Sequence, residues 1–286
     1  MNTLDTLIQD IYGRLEGLSA GEPLNINETE LDDTLIRIKE SILSWATPRD
    51  PQAEFTLRMS NIGRPLRQLW YESKTPSTAR SISGATQIKF LYGHLLEEIV
   101  LMLVRMTGHE VTSEQKEIDV SGIKGHMDCK INGEVVDVKT ASKFAFNKFK
   151  NGTLADNDPF GYLAQLSGYE TAEETKAGGF LVINKESGEL CLYRPDDLEK
   201  PNIPQRIKKI RSALSVDTPP SKCYSPIPEG KKGNMKLPSG CAYCPYKFEC
   251  YSDANDGEGL KAYAYSNGPT YFTKVVVPPR VDEILL

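Results

Sequence analysis

No apolar run in the 286-residue chain reaches the roughly 18 residues that a membrane span requires, so the sequence offers no transmembrane helix. No P-loop is present, and with it no helicase motif. No internal repeat is visible either. The first residues, MNTLDTLIQDIYGRLEGL, are acidic and amphipathic and lack the apolar core of a signal peptide, which gives the expectation of a cytoplasmic protein. Cysteine is scarce. There are six, none before Cys129, far from the density of a disulfide-stapled secreted domain. With 39% hydrophobic and 26% charged residues, the composition is that of an ordinary globular protein, long enough for one large domain or two modest ones.

Net positive charge is also missing, which argues against nucleic acid until its distribution is considered. The total is −5, but residues 1–50 hold ten acidic and four basic side chains, so the remainder is close to neutral. Two cationic stretches stand out there: KTASKFAFNKFK (139–150), with four lysines and no acid, and QRIKKIR (205–211), with four basic residues and no acid. Local patches, rather than the total, make an electrostatic footprint. Taken alone, each reads as a solvated face before it reads as a binding site.

Pattern along the chain predicts two helices over residues 1–47, joined by a polar linker with an N-cap signal at Asn27. TPRDPQAE (47–54) reads as a boundary. A long helix, apolar on nearly every face, begins near residue 85. Strands follow, then a helix in DPFGYLAQLSGYETAEET, a hairpin through Ser187-Gly188, a basic helix near 200–215, and a Pro/Gly-rich cysteine segment. The expected organisation is an acidic helical extension (1–50), a mixed α/β core (55–215) with a small sheet flanked by helices, and a cysteine-bearing segment with a tail (216–286).

The most informative stretch is GHMDCKINGEVVDVKT, residues 125–140. Asn132-Gly133 is a strong signal for a two-residue hairpin turn, because both positions require φ > 0. That turn sets Asp128 opposite Asp137 and His126 opposite Lys139 on one face, with Met127, Cys129, Ile131, Val136 and Val138 on the other. Directly opposed residues have Cβ atoms roughly 4.5–5.5 Å apart, where like charges are destabilising. A hard divalent cation with oxygen ligands relieves that repulsion. A lysine on the same face can stabilise a developing anion or orient a water.

GHMD followed by VVDVK resembles the PD-(D/E)XK nuclease superfamily. Two further motifs resemble its RecB-like exonuclease branch: Gly-x-x-x-Glu in GHLLE (Gly93 to Glu97) and Gln-x-x-x-Tyr in QLSGY (Gln165 to Tyr169), in the family's order over residues 93–169. The resemblance implies a PD-(D/E)XK core and a Mg²⁺- or Mn²⁺-dependent deoxyribonuclease. Asp128 and Asp137 resemble the metal-binding acids, with the Val138 carbonyl as a further ligand. Lys139 resembles the catalytic lysine. Glu97 resembles the helix residue that completes the metal shell, and Glu98 is its rival. Gln165 and Tyr169, at i and i+4 on one helical face, resemble residues that contact the DNA near the scissile bond. Lys143, Lys148 and Lys150, together with His126, are the expected phosphate contacts, and Phe144, Phe146 and Phe149 are candidates for base stacking.

The chemistry is coherent. Attack on a phosphodiester builds charge on oxygens that are already anionic, and a divalent cation neutralises it and lowers the pKa of bound water. The resemblance implies an exonuclease acting on linear DNA ends in recombination, repair or degradation. As a lone nuclease it suggests a stand-alone or phage-type enzyme in a bacterial or phage-infected cell, with a recombination or single-strand-binding protein as partner and no membrane role.

CAYCPYKFEC is C-x2-C-x5-C, formed by Cys241, Cys244 and Cys250, with Cys223 upstream; four thiolates in such a segment form a plausible metal knot. The spacing resembles the iron–sulfur staple of RecB-like nucleases, implying a [4Fe–4S] cluster, with Zn²⁺ as the alternative. In that family the fourth cysteine precedes the nuclease motifs. Here the corresponding stretch, MSNIGRPLRQLWY (59–71), has none, and Cys223 must substitute. Rival readings are a non-catalytic nucleic-acid-binding or assembly subunit, a restriction-type endonuclease, and a transcription-type zinc module on an α/β scaffold.

Overall fold

A computed structural model of the chain describes residues 2–48, 50, 53–75 and 83–285. The boundary expected over 47–54 includes Arg49, Pro51 and Gln52, which lie outside the described residues. Two compact units form, and the division between them falls between Ile207 and Lys208.

The first unit opens with helices α1 (Leu7–Ser19) and α2 (Glu28–Ala46). Asn27 caps α2, accepting from the Thr29 and Glu30 amides at 2.9 and 3.4 Å, which stabilises such a terminus by about 1 kcal/mol. Helix α3 (Leu66–Lys74) belongs to the second unit. The long helix α4 (Gly84–Met106) is capped by Ser83 and runs into the strands β1 (Val111–Thr112), β2 (Lys116–Val120), β3 (Ile123–Met127), β4 (Cys129–Ile131) and β5 (Glu134–Ala141). Helices α5 (Lys143–Lys150) and α6 (Tyr162–Ala172) precede the hairpin β6 (Gly178–Asn184) and β7 (Leu190–Tyr193).

The central sheet is mixed, ordered β1-β4-β5-β6-β7, with β5 and β6 parallel and the other pairs antiparallel. Parallel neighbours need a crossover, and α5 and α6 supply it. One face of the sheet, bearing Cys129, Ile131, Val136, Val138 and Leu181, packs on Val100, Leu101 and Val104 of α4 and on Leu4, Leu7 and Ile11. The last three are at most 1% exposed, and burying each contributes roughly 1.5–3 kcal/mol. The N-terminal helix is therefore integral to this core and not a separate extension, which corrects the expected 1–50 domain. Arg37 of α2 pairs with Glu98 at 2.9 Å, and the Trp45 indole donates to the Gln87 carbonyl at 3.0 Å, holding α2 against α4. On the other face Phe149 meets Phe180, with ring centroids 5.3 Å apart, and Phe146, Leu166 and Tyr169 are buried.

The turn at Asn132 (φ 51°) and Gly133 (φ 84°) forms as read, and Cys129 pairs with Val136. The register ends there, however. At Asp128 the chain leaves the central sheet, and β3 pairs instead with β2 through a second two-residue turn at Ser121 (φ 54°) and Gly122 (φ 76°). His126 consequently faces Glu117 and not Lys139, contrary to the expected pairing.

The second unit combines Glu54–Thr56, the segment from Arg64 through α3, and the chain from Lys208 onward. Helix α7 (Ile203–Leu214) spans the division. The strands β8 (Ile227–Glu229), β9 (Asn234–Lys236), β10 (Lys261–Tyr265), β11 (Gly268–Lys274) and β12 (Glu283–Ile284) form an antiparallel sheet ordered β12-β10-β11-β9-β8. Between β9 and β10 lie the short helices α8 (Ser239–Ala242), α9 (Lys247–Cys250) and α10 (Ala254–Gly257). Leu237, Cys241, Tyr251, Ala254 and Leu260 make a small core of their own. The loop-like segment expected from residue 216 is thus a folded sheet-and-helix unit that also takes in α3, expected within the 55–215 core.

Candidate active site

The carboxylates gather where the sheet splits. Asp137 lies on β5 with its side chain fully buried, and its charge contact is the Lys139 ammonium two residues along the same face. Asp128, at the β3–β4 junction, turns its Oδ2 to accept the Val138 amide at 2.8 Å, placing it beside Asp137. From α4, Glu97 reaches the same cluster, and its Oε1 accepts from Gln115 Nε2 at 3.0 Å. Glu98 points elsewhere, to Arg37. Arg37 of α2 thus occupies Glu98, while Glu97 is the one of the two turned toward the aspartates.

The electrostatics fit this crowding. Burial, reinforced chiefly by the nearby Asp128 carboxylate, pushes Glu97 up to about 8, while Lys139 pulls it the other way. Burial likewise pushes Asp137 up to about 7, with Lys139 opposing and Asp128 adding to the rise. Burial works against the Lys139 charge, but Asp137 and Asp128 outweigh it and hold the ammonium above the ordinary lysine value. One cation is too few for three carboxylates. Three mutually repelling acids with one ammonium among them are the oxygen ligand set that a hard divalent ion satisfies. Among the described residues, no three His, Cys, Asp or Glu side chains already encircle one point.

Helix α6 closes the site. Gln165 Nε2 donates to the Tyr169 hydroxyl at 2.6 Å, and both side chains are buried. Burial, then Asp137 and Asp128, raise the Tyr169 hydroxyl well above its usual range, so it remains protonated beside the acids. Tyr162, which the motif search passed over, presents its ring to Lys139 Nζ at 5.4 Å from the centroid. Gln115 was missed too. Its backbone takes φ 49°, and its amide also donates to the Asp128 carbonyl at 3.0 Å, so one residue ties Glu97 to the Asp128 backbone. Only its left-handed conformation is unusual, and that cannot be read from sequence.

The expected phosphate contacts fare differently. His126 is exposed on the β2–β3 ribbon beside Glu117, away from Lys139. Lys150 pairs with Glu189 at 2.5 Å, and Lys148 donates to the Asn157 carbonyl at 2.8 Å. Lys143 is exposed at the start of α5. Phe146 and Phe149 are core residues, leaving Phe144 as the one exposed ring of the three.

In the second unit the four C-terminal cysteines line a single recess with Arg67, Tyr71, Tyr246 and Tyr251. The Arg67 guanidinium donates to Cys250 Sγ at 3.1 Å, and the Arg67 and Gln68 amides of α3 donate to Cys223. Burial, and then the other three thiols, push Cys244 up to about 12. The segment that lacks the expected cysteine therefore still abuts the cluster, through backbone amides and an arginine. None of the six cysteines forms a disulfide.

No family model matches the chain, and no curated protein matches it. Among solved structures, SSO0001 is similar at 16% identity and a TM-score of 0.41, over 74% of this chain and 93% of that one. An alkaline exonuclease (LHK-Exo) from Laribacter hongkongensis is similar at 16% identity and a TM-score of 0.39, over 62% of this chain and 92% of that one. The same exonuclease in complex with dAMP scores 0.31 at 14% identity, over 55% of this chain and 87% of that one.

Proposed function

We propose that the chain is a metal-dependent deoxyribonuclease of the PD-(D/E)XK type, acting as an exonuclease on linear DNA. The observation that carries this reading is the fully buried carboxylate of Asp137, paired with Lys139 and set beside Asp128, with Glu97 facing them. A structural ion pair would leave no reason to add two more acids to a dry site, since each buried charge costs several kcal/mol unless compensated. Glu97, Asp128, Asp137 and the Val138 carbonyl would hold Mg²⁺ or Mn²⁺, which supplies charge neutralisation of the phosphate and an acidified water.

The chain's own residues do the rest. Lys139 stays charged and is aimed by its contact with Asp137 and by the Tyr162 ring, so it can orient a water or meet the developing phosphorane charge. Tyr169, kept neutral and fixed by Gln165, offers a hydroxyl at the edge of the same site. Burial by α4, α5 and α6 keeps bulk water from screening these charges. Recombination, repair or degradation of DNA is the process such an activity serves, with a recombination or single-strand-binding protein as partner.

The second unit carries the proposed [4Fe–4S] cluster, held by Cys223, Cys241, Cys244 and Cys250, with Zn²⁺ as the alternative. Four thiols on one recess, with amide and guanidinium donors on two of them, support a thiolate-held metal with a structural role. Colour and metal content separate the two: a brown protein carrying iron against a colourless one carrying zinc.

The deciding experiment is a time course on end-labelled linear and closed circular DNA with Mg²⁺, Mn²⁺ or EDTA, alongside Lys139→Ala. Metal-dependent loss of linear DNA alone, absent in the variant, is the expected result. Cleavage of circles would make it an endonuclease, and cleavage of neither would reject the nuclease reading.

A further inference from the structure

The aromatic rings around the site divide sharply. Phe146, Phe149 and Phe180 are buried, at 0, 2 and 0% exposure, whereas Phe160 is 54% exposed and Phe144 is 71% exposed. Leaving such a ring in water forgoes much of the roughly 1.5–3 kcal/mol that its burial would contribute. Single exposed apolar residues need no explanation, but these two are not placed at random. Phe160 stacks on Tyr162, with centroids 5.6 Å apart and planes 29° from parallel, and the Tyr162 ring in turn carries Lys139 Nζ. Two ring contacts thus lead from the lysine to solvent. The turn that presents Phe160 is fixed, because the Asp158 carboxylate accepts the amides of Gly161, Tyr162 and Leu163 at 2.9–3.0 Å. On the other flank, Lys148 Nζ lies over the Phe144 ring at 5.2 Å while donating to Asn157, at the start of the same turn.

We propose that Phe160 is the platform on which a nucleobase of the bound DNA strand stacks, setting the register of the scissile phosphate at Lys139, with Phe144 and Lys148 contacting the adjoining nucleotide. This rests on the nuclease reading for its substrate. The physical fit is direct. Every base offers a π-face, an exposed ring backed by a second ring offers the complementary surface, and the cations over Tyr162 and Phe144 suit the phosphates. Stacking of this kind is indifferent to sequence, as an exonuclease that consumes any strand requires.

The test uses the full chain with Ca²⁺ and oligonucleotides carrying 2-aminopurine at the strand end, with binding followed separately by anisotropy. Binding should quench the fluorescence of the wild type, Phe160→Ala should lose the quench, and Phe160→Trp should retain it. With Mg²⁺, a strand ending in an abasic nucleotide should show a Michaelis constant roughly tenfold above that of a normal strand, and Phe160→Ala should bring this ratio near one. Unchanged quenching in Phe160→Ala overturns the proposal even if DNA is cleaved. A quench that depends on Phe160, without hydrolysis by the wild type, removes the nuclease reading and leaves the stacking site standing. Absence of DNA binding overturns both.

Discussion

The Val138 amide donates to Asp128 Oδ2 at 2.8 Å, so the strand that carries Asp137 also fixes the carboxylate of the other aspartate. The second Asp128 oxygen is left for chemistry. An asparagine at this position keeps one acceptor for Val138 and loses the charge. Asp128→Asn should therefore fold with a stability within about 1 kcal/mol of wild type, the worth of one hydrogen bond. Its DNA cleavage should fall by at least about a hundredfold, the cost typical of removing one electrostatic element of a catalytic site. Thermal unfolding and end-labelled cleavage measure the two separately. Near-normal cleavage would remove Asp128 from the site.

Glu173 gives a pH test of the fold. It accepts from Lys116 on β2 at 2.6 Å and from Lys130 on β4 at 2.5 Å, tying the ribbon to the central sheet. The hydrogen bonds from Lys116 and Lys130 hold its pKa below the ordinary glutamate value of 4.5. A lowered folded pKa means that the unfolded chain takes up the proton first. The stabilisation is complete above the unfolded value and is lost as pH falls through the folded one. Glu173→Gln should lower Tm at pH 7, and the gap to wild type should close as pH drops below about 4.5. A gap that stays constant with pH would assign the loss to packing alone.

What sequence could show, and what it could not, divides by range. The Asn132-Gly133 turn is local chemistry, and it carried the register through Cys129 and Val136. Asp128 and Asp137 lie close to that turn and end up neighbours, though through the Val138 amide and not as the directly opposed pair that the register predicts. His126 was misplaced because β3 obeys a competing turn at Ser121-Gly122, and because β2, with Lys116, Glu117 and Asp119 exposed, does not read as a strand. Periodicity cannot separate Glu97 from Glu98 on an all-round apolar helix, where only the Gly93 spacing favours Glu97; the contact of Glu98 with Arg37, 61 residues away, is beyond sequence reading. In the C-terminal sheet, β8 and β9 have three residues each, too short for alternation to register, whereas β10 and β11, with five and seven residues, were long enough to read and went unread.

Two motif glycines have a packing reason that can be tested. A Cβ on Gly125, in β3, would collide with the Met59 Cβ, and one on Gly168, in α6, would collide with the Met59 thioether. Met59 is fully buried between them. The collision at Gly125 is with an atom bonded to the backbone, which cannot swing away. Gly125→Ala should cost roughly 1–3 kcal/mol, as overpacking of a tight core does. Met59→Ala keeps the Cβ that Gly125→Ala strikes but removes the thioether that Gly168→Ala strikes, so it should offset part of the loss in a Gly168→Ala double variant, a coupling that a double-mutant cycle of urea midpoints would record. Strictly additive losses would mean that the glycine is needed for some other reason.

Cys244 separates a metal knot from four thiols that share a small core. It is one of two half-buried members of the cluster, with Cys250, its thiol driven up to about 12 by burial and by the three neighbouring sulfurs, and serine is nearly its isostere. If the four sulfurs merely pack, Cys244→Ser exchanges one small side chain for another and costs about 1–3 kcal/mol of polar burial. If they hold a metal, the variant loses one ligand of four, and structural zinc sites are worth roughly 10–16 kcal/mol in small domains. Iron or zinc per chain should then fall well below the wild-type ratio. Tm should drop by more than packing explains, at about 4–8 °C per kcal/mol for a unit of this size. Cys129→Ser is the control, because that thiol is buried in the first unit away from the recess. It should lower Tm without changing metal content. Equal metal content in wild type and Cys244→Ser would dispose of the thiolate site, whatever the change in Tm.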